Sequence, residues 1–148
     1  GVRQEVYYEG QAAIELEMAA DKDEEGFYSY DLEELGNGSQ VMLEPIIRGV
    51  VSDISEGVSV PTIAGKFHNT MAKIILNICL RVRKASGIEK VALSGGVFQN
   101  TLLLNKTFTL LDGSGFKVYT QHRVPPNDGG IALGQAVIAN ELIKKGKI

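Results

Sequence analysis

Hydrophobic and polar positions along the 148-residue chain alternate with two periods, and the switch between them divides it. From Gly10 to Ala20 the apolar positions Ala13, Ile14, Leu16, Met18 and Ala20 predict a helix with Glu15 close to its inner face. Phe27 to Leu32 alternates as a strand, with Gln40 to Leu43 as its partner and Gly36-Asn37-Gly38 as the turn. Pro45 opens a helix to about Glu56, with Ile46, Ile47, Val50, Val51 and Ile54 at helical spacing, and Gly57 closes it. Pro61 to about Ser86 is the longest helix. Its stripe of Ile63, Phe67, Met71, Ile74, Ile75, Ile78 and Val82 should cross the middle of the domain.

Beyond Gly87 the pattern becomes strand, helix, strand, helix. Lys90 to Leu93 and Lys117 to Gln121 read as strands; Asn100 to about Leu111 and Asp128 to about Lys144 read as helices. Helices between short buried strands mean an α/β layer with some parallel pairing. The whole is expected to be one domain: residues 1–56 helical with a hairpin, residues 57–148 a long helix plus the α/β layer.

Charge sharpens this division. Residues 1–56 hold three basic and fourteen acidic side chains, net −11, and residues 57–148 hold twelve and four, net +8. One reading is an acidic helical surface beside a mildly basic layer; the other is a basic part that attracts an anionic ligand. Without a lysine-rich stripe interleaved with aromatics, nucleic acid is not expected. Apolar runs fall far short of a membrane span, and the single Cys79 argues against a disulfide scaffold, so a cytoplasmic location is expected. The chain opens at Gly1 rather than at methionine, which reads as a cloning scar or as a chain cut from a longer protein.

Two glycine turns are the candidate chemistry. In Val91 to Asn100 a strand runs into Ser94-Gly95-Gly96 and then a helix start, where unpaired amides of a first helical turn are offered to an anion. Pro125-Pro126-Asn127-Asp128-Gly129-Gly130 repeats the arrangement with a carboxylate. Each has a plainer reading: Gly95-Gly96 as a tight turn, Asn100 as an N-cap, Asp128 as a first-turn carboxylate favouring the helix dipole. Asp128 could also be a hard oxygen ligand for a metal that bridges phosphates. His68 is expected to be a satisfied, partly buried histidine, Cys79 core filler and His122 a strand-end surface residue.

Taken together, Tyr8 to Glu17, Phe67-His68-Asn69-Thr70, Ser94 to Asn100 and Pro125 to Ala136 resemble the C-terminal end of the HypF carbamoyltransferases, which mature NiFe hydrogenases. The resemblance implies one lobe of an actin-like, Hsp70-like ATPase (ribonuclease H-like) fold with added helices, nucleotide being held between two lobes. It implies a transferase that uses carbamoyl phosphate and ATP, through a carbamoyl adenylate, to carbamoylate the C-terminal cysteine of HypE for cyanide-ligand synthesis. By motif match Gly95, Gly96 and Asn100 would contact the nucleotide, and Gly10, Gln11 and Glu15 its ribose or base. Asp128 would be the metal ligand from this side, the metal being iron, zinc or magnesium. The family's paired-histidine metal motif is missing from this sequence, so the chain would carry half a site and stay inactive without the preceding lobe. Two other readings stand beside it: the relative that makes threonylcarbamoyladenosine on tRNA, and a non-catalytic helical adaptor whose glycine turns are structural.

Overall fold

A computed structural model describes residues 4–36 and 38–147. Its central element is a 27-residue helix, Val60–Ser86. Ser59 starts it by accepting a hydrogen bond from Thr62 N–H at 3.3 Å, with Pro61 in the first turn, and Gly87 ends it in the left-handed region. The order is α1 (Gln11–Ala19), β1 (Asp31–Leu35), β2 (Gly38–Met42), α2 (Glu44–Ser55), α3 (Val60–Ser86), β3 (Lys90–Leu93), α4 (Thr101–Gly113), β4 (Lys117–Thr120) and α5 (Ile131–Lys144). Short 3₁₀ turns, Gly96–Gln99 and Asp128–Gly130, precede α4 and α5.

The strands form two pairs. β1 and β2 are antiparallel with Leu35 opposite Gly38, and Asn37 of the expected Gly36-Asn37-Gly38 turn lies outside the described residues. β3 and β4 are parallel, Lys90 opposite Lys117 through Leu93 opposite Thr120, with α4 as the crossover. This bears out the mixed α/β expectation and the parallel pair after Gly87.

The predicted strand over Phe27–Leu32 is displaced: pairing begins only at Asp31. The preceding segment is held by α3 instead of by a strand. Asn69 Nδ2 donates to the carbonyls of Glu24 and Gly26 at 2.6 and 2.8 Å, and Tyr28 N–H donates to Thr70 Oγ1 at 2.8 Å. Close approach makes this possible. A Cβ on Gly65 would stand 2.6 Å from the Asp21 carbonyl, so that position of α3 admits only glycine without displacement.

Consequently α3 buries more than the apolar stripe. His68, Asn69 and Thr70 are buried with Ala64, Gly65, Ala72 and Ile74, while Val82 at the stripe's end is exposed. Three apolar clusters surround the helix: Ala20, Ala64 and Leu102; Tyr28, Ile46 and Ile74; and Leu93, Leu111 and Phe116. Cys79 packs against the last of these, and burial raises its thiol pKa, which suits a core role over a nucleophilic one. Asp53 ties α2 to α3. Lys66 Nζ and Tyr28 Oη donate to its Oδ2 at 2.9 and 2.8 Å, holding its carboxyl pKa below the usual range.

Candidate nucleotide cleft

Parallel pairing puts the segments that follow β3 and β4 at the same end of the pair, the usual place for a ligand in an open α/β layer. The two loops meet there: Gly95 N–H donates to the Pro126 carbonyl at 2.8 Å. Gly95 has φ +104°, a conformation that side chains rarely adopt, so its identity is a backbone requirement. On the second loop Asn127 Oδ1 accepts from Gly129 N–H at 3.1 Å and its carbonyl from Gly130 N–H at 3.0 Å, bending the chain into α5.

The start of α1 forms the third wall. A cleft of about 890 Å³ is lined by Glu9, Gly10, Ala13, Ile14 and Glu17 from this side, by Gly96, Val97, Gln99 and Asn100 from the first loop, and by Asn127, Asp128 and Gly129 from the second. Its size lies within the range of roughly 300–1,000 Å³ typical of ligand sites. Of the residues singled out from sequence, Gly10, Gly96, Asn100 and Asp128 therefore line one cavity. Gly95, Gln11 and Glu15 are not among its lining residues. Gly95 acts through the loop-to-loop bond. Gln11 is buried, its Oε1 accepting from Tyr7 N–H at 2.8 Å and its Nε2 donating to Glu15 Oε1 at 2.9 Å, so it shapes the entry to α1.

One expectation about the first loop is overturned. The amides of the first turn of α4 are not offered to an anion, because a carboxylate of the chain already holds them. Glu17 Oε1 accepts from Thr101 N–H at 2.7 Å, from Thr101 Oγ1 at 2.8 Å and from Leu102 N–H at 3.2 Å. Asn100 Oδ1 takes the Leu103 N–H at 2.8 Å, as an N-cap does. The donors left for a ligand lie one turn earlier, where Gly96 and Val97 N–H find no acceptor among the described residues.

Asn100 has a second task. Its Nδ2 lies 2.9 Å from His68 Nε2, while His68 Nδ1 lies 2.7 Å from the Ala64 carbonyl. A carbonyl only accepts, so Nδ1 carries the proton and Nε2 accepts from Asn100. His68 is thus satisfied as expected from sequence but fully rather than partly buried, and through Asn100 it anchors the cleft floor to α3. His122 is exposed, with Nε2 2.9 Å from Thr120 Oγ1, and does not line the cleft.

Asp128 alone does not make a metal centre. Among the described residues no three histidine, cysteine, aspartate or glutamate side chains come together to hold an ion. A hard cation needs several oxygen ligands, so these residues supply one donor and no complete site. Glu9, Glu17 and Asp128 also make the cleft acidic, which opposes a bare polyphosphate and favours one that arrives with a cation.

Residues 1–135 match the sequence family described as carbamoyltransferase, Kae1-like domain, second subdomain. The chain is 38% identical over 136 residues to carbamoyltransferase HypF of Synechocystis sp. and 35% identical over 139 residues to carbamoyltransferase HypF of Rhodobacter capsulatus, covering 91% and 89% of this chain. It spans only 17% and 16% of the length of those relatives. A crystal structure of full-length HypF in a phosphate- and nucleotide-bound form superposes with a TM-score of 0.91 at 44% identity, over 97% of this chain and 19% of that one. The structure of HypF from T. kodakarensis shares the fold at a TM-score of 0.79 and 24% identity, over 98% of this chain and 18% of that one. With the family match over most of the sequence, and with the motif-bearing loops gathered at one cleft, the chain belongs to the HypF carbamoyltransferase family.

Proposed function

We propose that this chain is one lobe of the carbamoyltransferase module of a HypF protein, with the actin-like ATPase architecture, and that its cleft is half of the nucleotide site. The full module uses carbamoyl phosphate and ATP to form a carbamoyl adenylate, and passes the carbamoyl group to the C-terminal cysteine of a HypE-type partner. The observation that carries this reading is the convergence of Gly10, Gly96, Asn100 and Asp128 on one 890 Å³ cleft from three separate stretches of sequence. A structural role for the glycine turns would not require it.

Within the cleft the roles follow from chemistry. Gly96 and Val97 supply backbone N–H groups to a phosphate, and glycine at 96 leaves room for it. Gly10 and the first turn of α1 face the ribose or base. Asp128 contributes one carboxylate to a divalent metal whose remaining ligands come from outside this chain. When bound, that metal neutralises phosphate charge. The chain's own part is to place its donors and to hold Asn100 rigid through His68.

Asp128→Asn in the full-length polypeptide tests this. Carbamoylation of the HypE-type cysteine should fall about 100-fold or more, the order of magnitude for losing a group that stabilises developing charge. Unchanged transfer would support the helical adaptor. Binding of tRNA in place of the HypE-type protein would support the threonylcarbamoyladenosine relative.

A further inference from the structure

A second cavity, of about 660 Å³, lies between α3, α4 and the segment leading from α1 to β1, and it shares no lining residue with the nucleotide cleft. Its charge differs in kind. The charged side chains of the cleft are all acidic, whereas here Lys22, Lys73 and Lys106 meet Glu24 and Glu25. Lys73 and Lys106 are half-buried, yet none of the three lysines forms an ion pair among the described residues. Lys66, one element of the same α3, shows the usual arrangement, with Asp53 at 2.9 Å. Lys106 Nζ donates to the carbonyls of Lys22 and Glu24 at 3.2 and 3.4 Å, and Lys73 Nζ stands 4.2 Å from the Phe27 ring centroid. These neutral partners hold both ammonium groups in place without cancelling their charge. Glu24 Oε1 is already engaged, accepting from Gly26 N–H at 2.6 Å, and Glu25 is exposed.

We propose that this cavity binds a small organic phosphate ester, with the phosphate among Lys22, Lys73 and Lys106 and the organic part against Ala72, Leu102 and Leu110. A phosphate monoester carries about −1.5 to −2 charge at neutral pH and three strong acceptor oxygens, which suits three ammonium groups better than a single carboxylate does. Asn105 lines the same cavity and adds an amide donor. An inorganic ion would leave most of 660 Å³ empty, and the apolar wall would then face only water. The walls are fixed in advance. Buried Asn69 and the Lys106 ammonium both grip carbonyls of the 22–26 segment, so its placement on α3 and α4 does not wait for a ligand. The site goes beyond the nucleotide reading and does not depend on it, because the two cavities have separate linings.

Amide NMR titrations of this chain at fixed ionic strength provide the test, with phenyl phosphate and inorganic phosphate as probes and chloride as the control. Phenyl phosphate should give saturable shifts at Asn69, Lys73, Asn105, Lys106 and Thr109, and should bind about 5-fold more tightly than inorganic phosphate because its ring covers the apolar wall. Lys73→Gln should weaken binding about 10-fold, the order expected for losing one charge-assisted bond. Glu25→Gln removes a repelling carboxylate and should tighten binding about 2-fold. Should Lys73→Gln lose the folded spectrum, the exposed Glu25 substitution still decides, since a side chain with no part in phosphate binding would leave the affinity unchanged. Shifts reproduced by chloride, shifts confined to Gly96 and Val97 of the cleft, or indifference to Glu25→Gln would overturn the site. Equal affinity for the two phosphates would overturn the organic ester as its ligand. None of these results bears on ATP binding at the cleft, so the nucleotide reading stands or falls separately.

Discussion

Glu17 is the residue whose loss should be most informative. One of its carboxylate oxygens accepts three hydrogen bonds from Thr101 and Leu102, across 84 and 85 residues of sequence, and joins α1 to the start of α4. Glu17→Ala removes all three and leaves the first turn of α4 to water. A lost helix cap costs about 1 kcal/mol, and bonds to a charged acceptor are worth roughly 1.5–3 kcal/mol when fully buried. The bonds to Thr101 are exposed, so solvent both screens the charge and rehydrates the freed amides, which brings the expected loss to about 1–2 kcal/mol. For a chain of this size that corresponds to a fall of roughly 3–6 °C in melting temperature. Glu17→Gln keeps an acceptor without the charge and should lose about half as much. Urea unfolding followed by circular dichroism reads both, and a cycle with Thr101→Val should show coupling, because the two residues share a bond. If Glu17→Ala stays within about 0.3 kcal/mol of the parent, or adds simply to Thr101→Val, the clasp contributes nothing and the argument fails.

Further outcomes follow from particular contacts. Gly95→Ala must hold φ near +104° and should destabilise by about 1–3 kcal/mol, with broadened amide signals from both cleft loops; a stability equal to the parent would mean the loops relax freely. Thr107 is fully buried and its Oγ1 has no hydrogen-bond partner among the described residues, so Thr107→Val should be neutral or stabilise by up to about 1 kcal/mol in denaturant unfolding. The Asp53 pKa is lowered on folding, so its contribution is present above the unfolded carboxylate value of about 3.9 and is lost as pH falls through the lower folded value. Asp53→Asn should accordingly flatten the acid limb of the stability profile below about pH 4, and an unchanged limb would exclude this group as its cause.

How much of this was legible in sequence depended on how local its cause was. The long helix α3, its glycine stop and the hairpin turn follow from spacing and turn chemistry within a few residues. The cleft loops were legible for a similar reason: a strand, two glycines and a capping residue are a local pattern, and parallel pairing brings two such patterns to one end. Glu17 was not legible. On its own helix it is one more polar position, and nothing near it indicates partners at Thr101 and Leu102. The segment after Glu24 was misread because alternation around Tyr28 and Tyr30 reflects packing against α3, where Asn69 and Thr70 replace a neighbouring strand as hydrogen-bond partners. Helix α5 shows the remaining limit. Periodicity identifies its apolar positions but does not say what they pack against, and no residue of the helix is buried.

The most direct test of the cleft is an amide NMR titration of this chain with ATP and magnesium. The account predicts shifts centred on Gly10, Gly96, Val97, Asn100, Asp128 and Gly129, diminished at the second loop by Asp128→Asn. Shifts centred elsewhere would contradict it, as would silence at these six amides that persists when the preceding subdomain is supplied in trans.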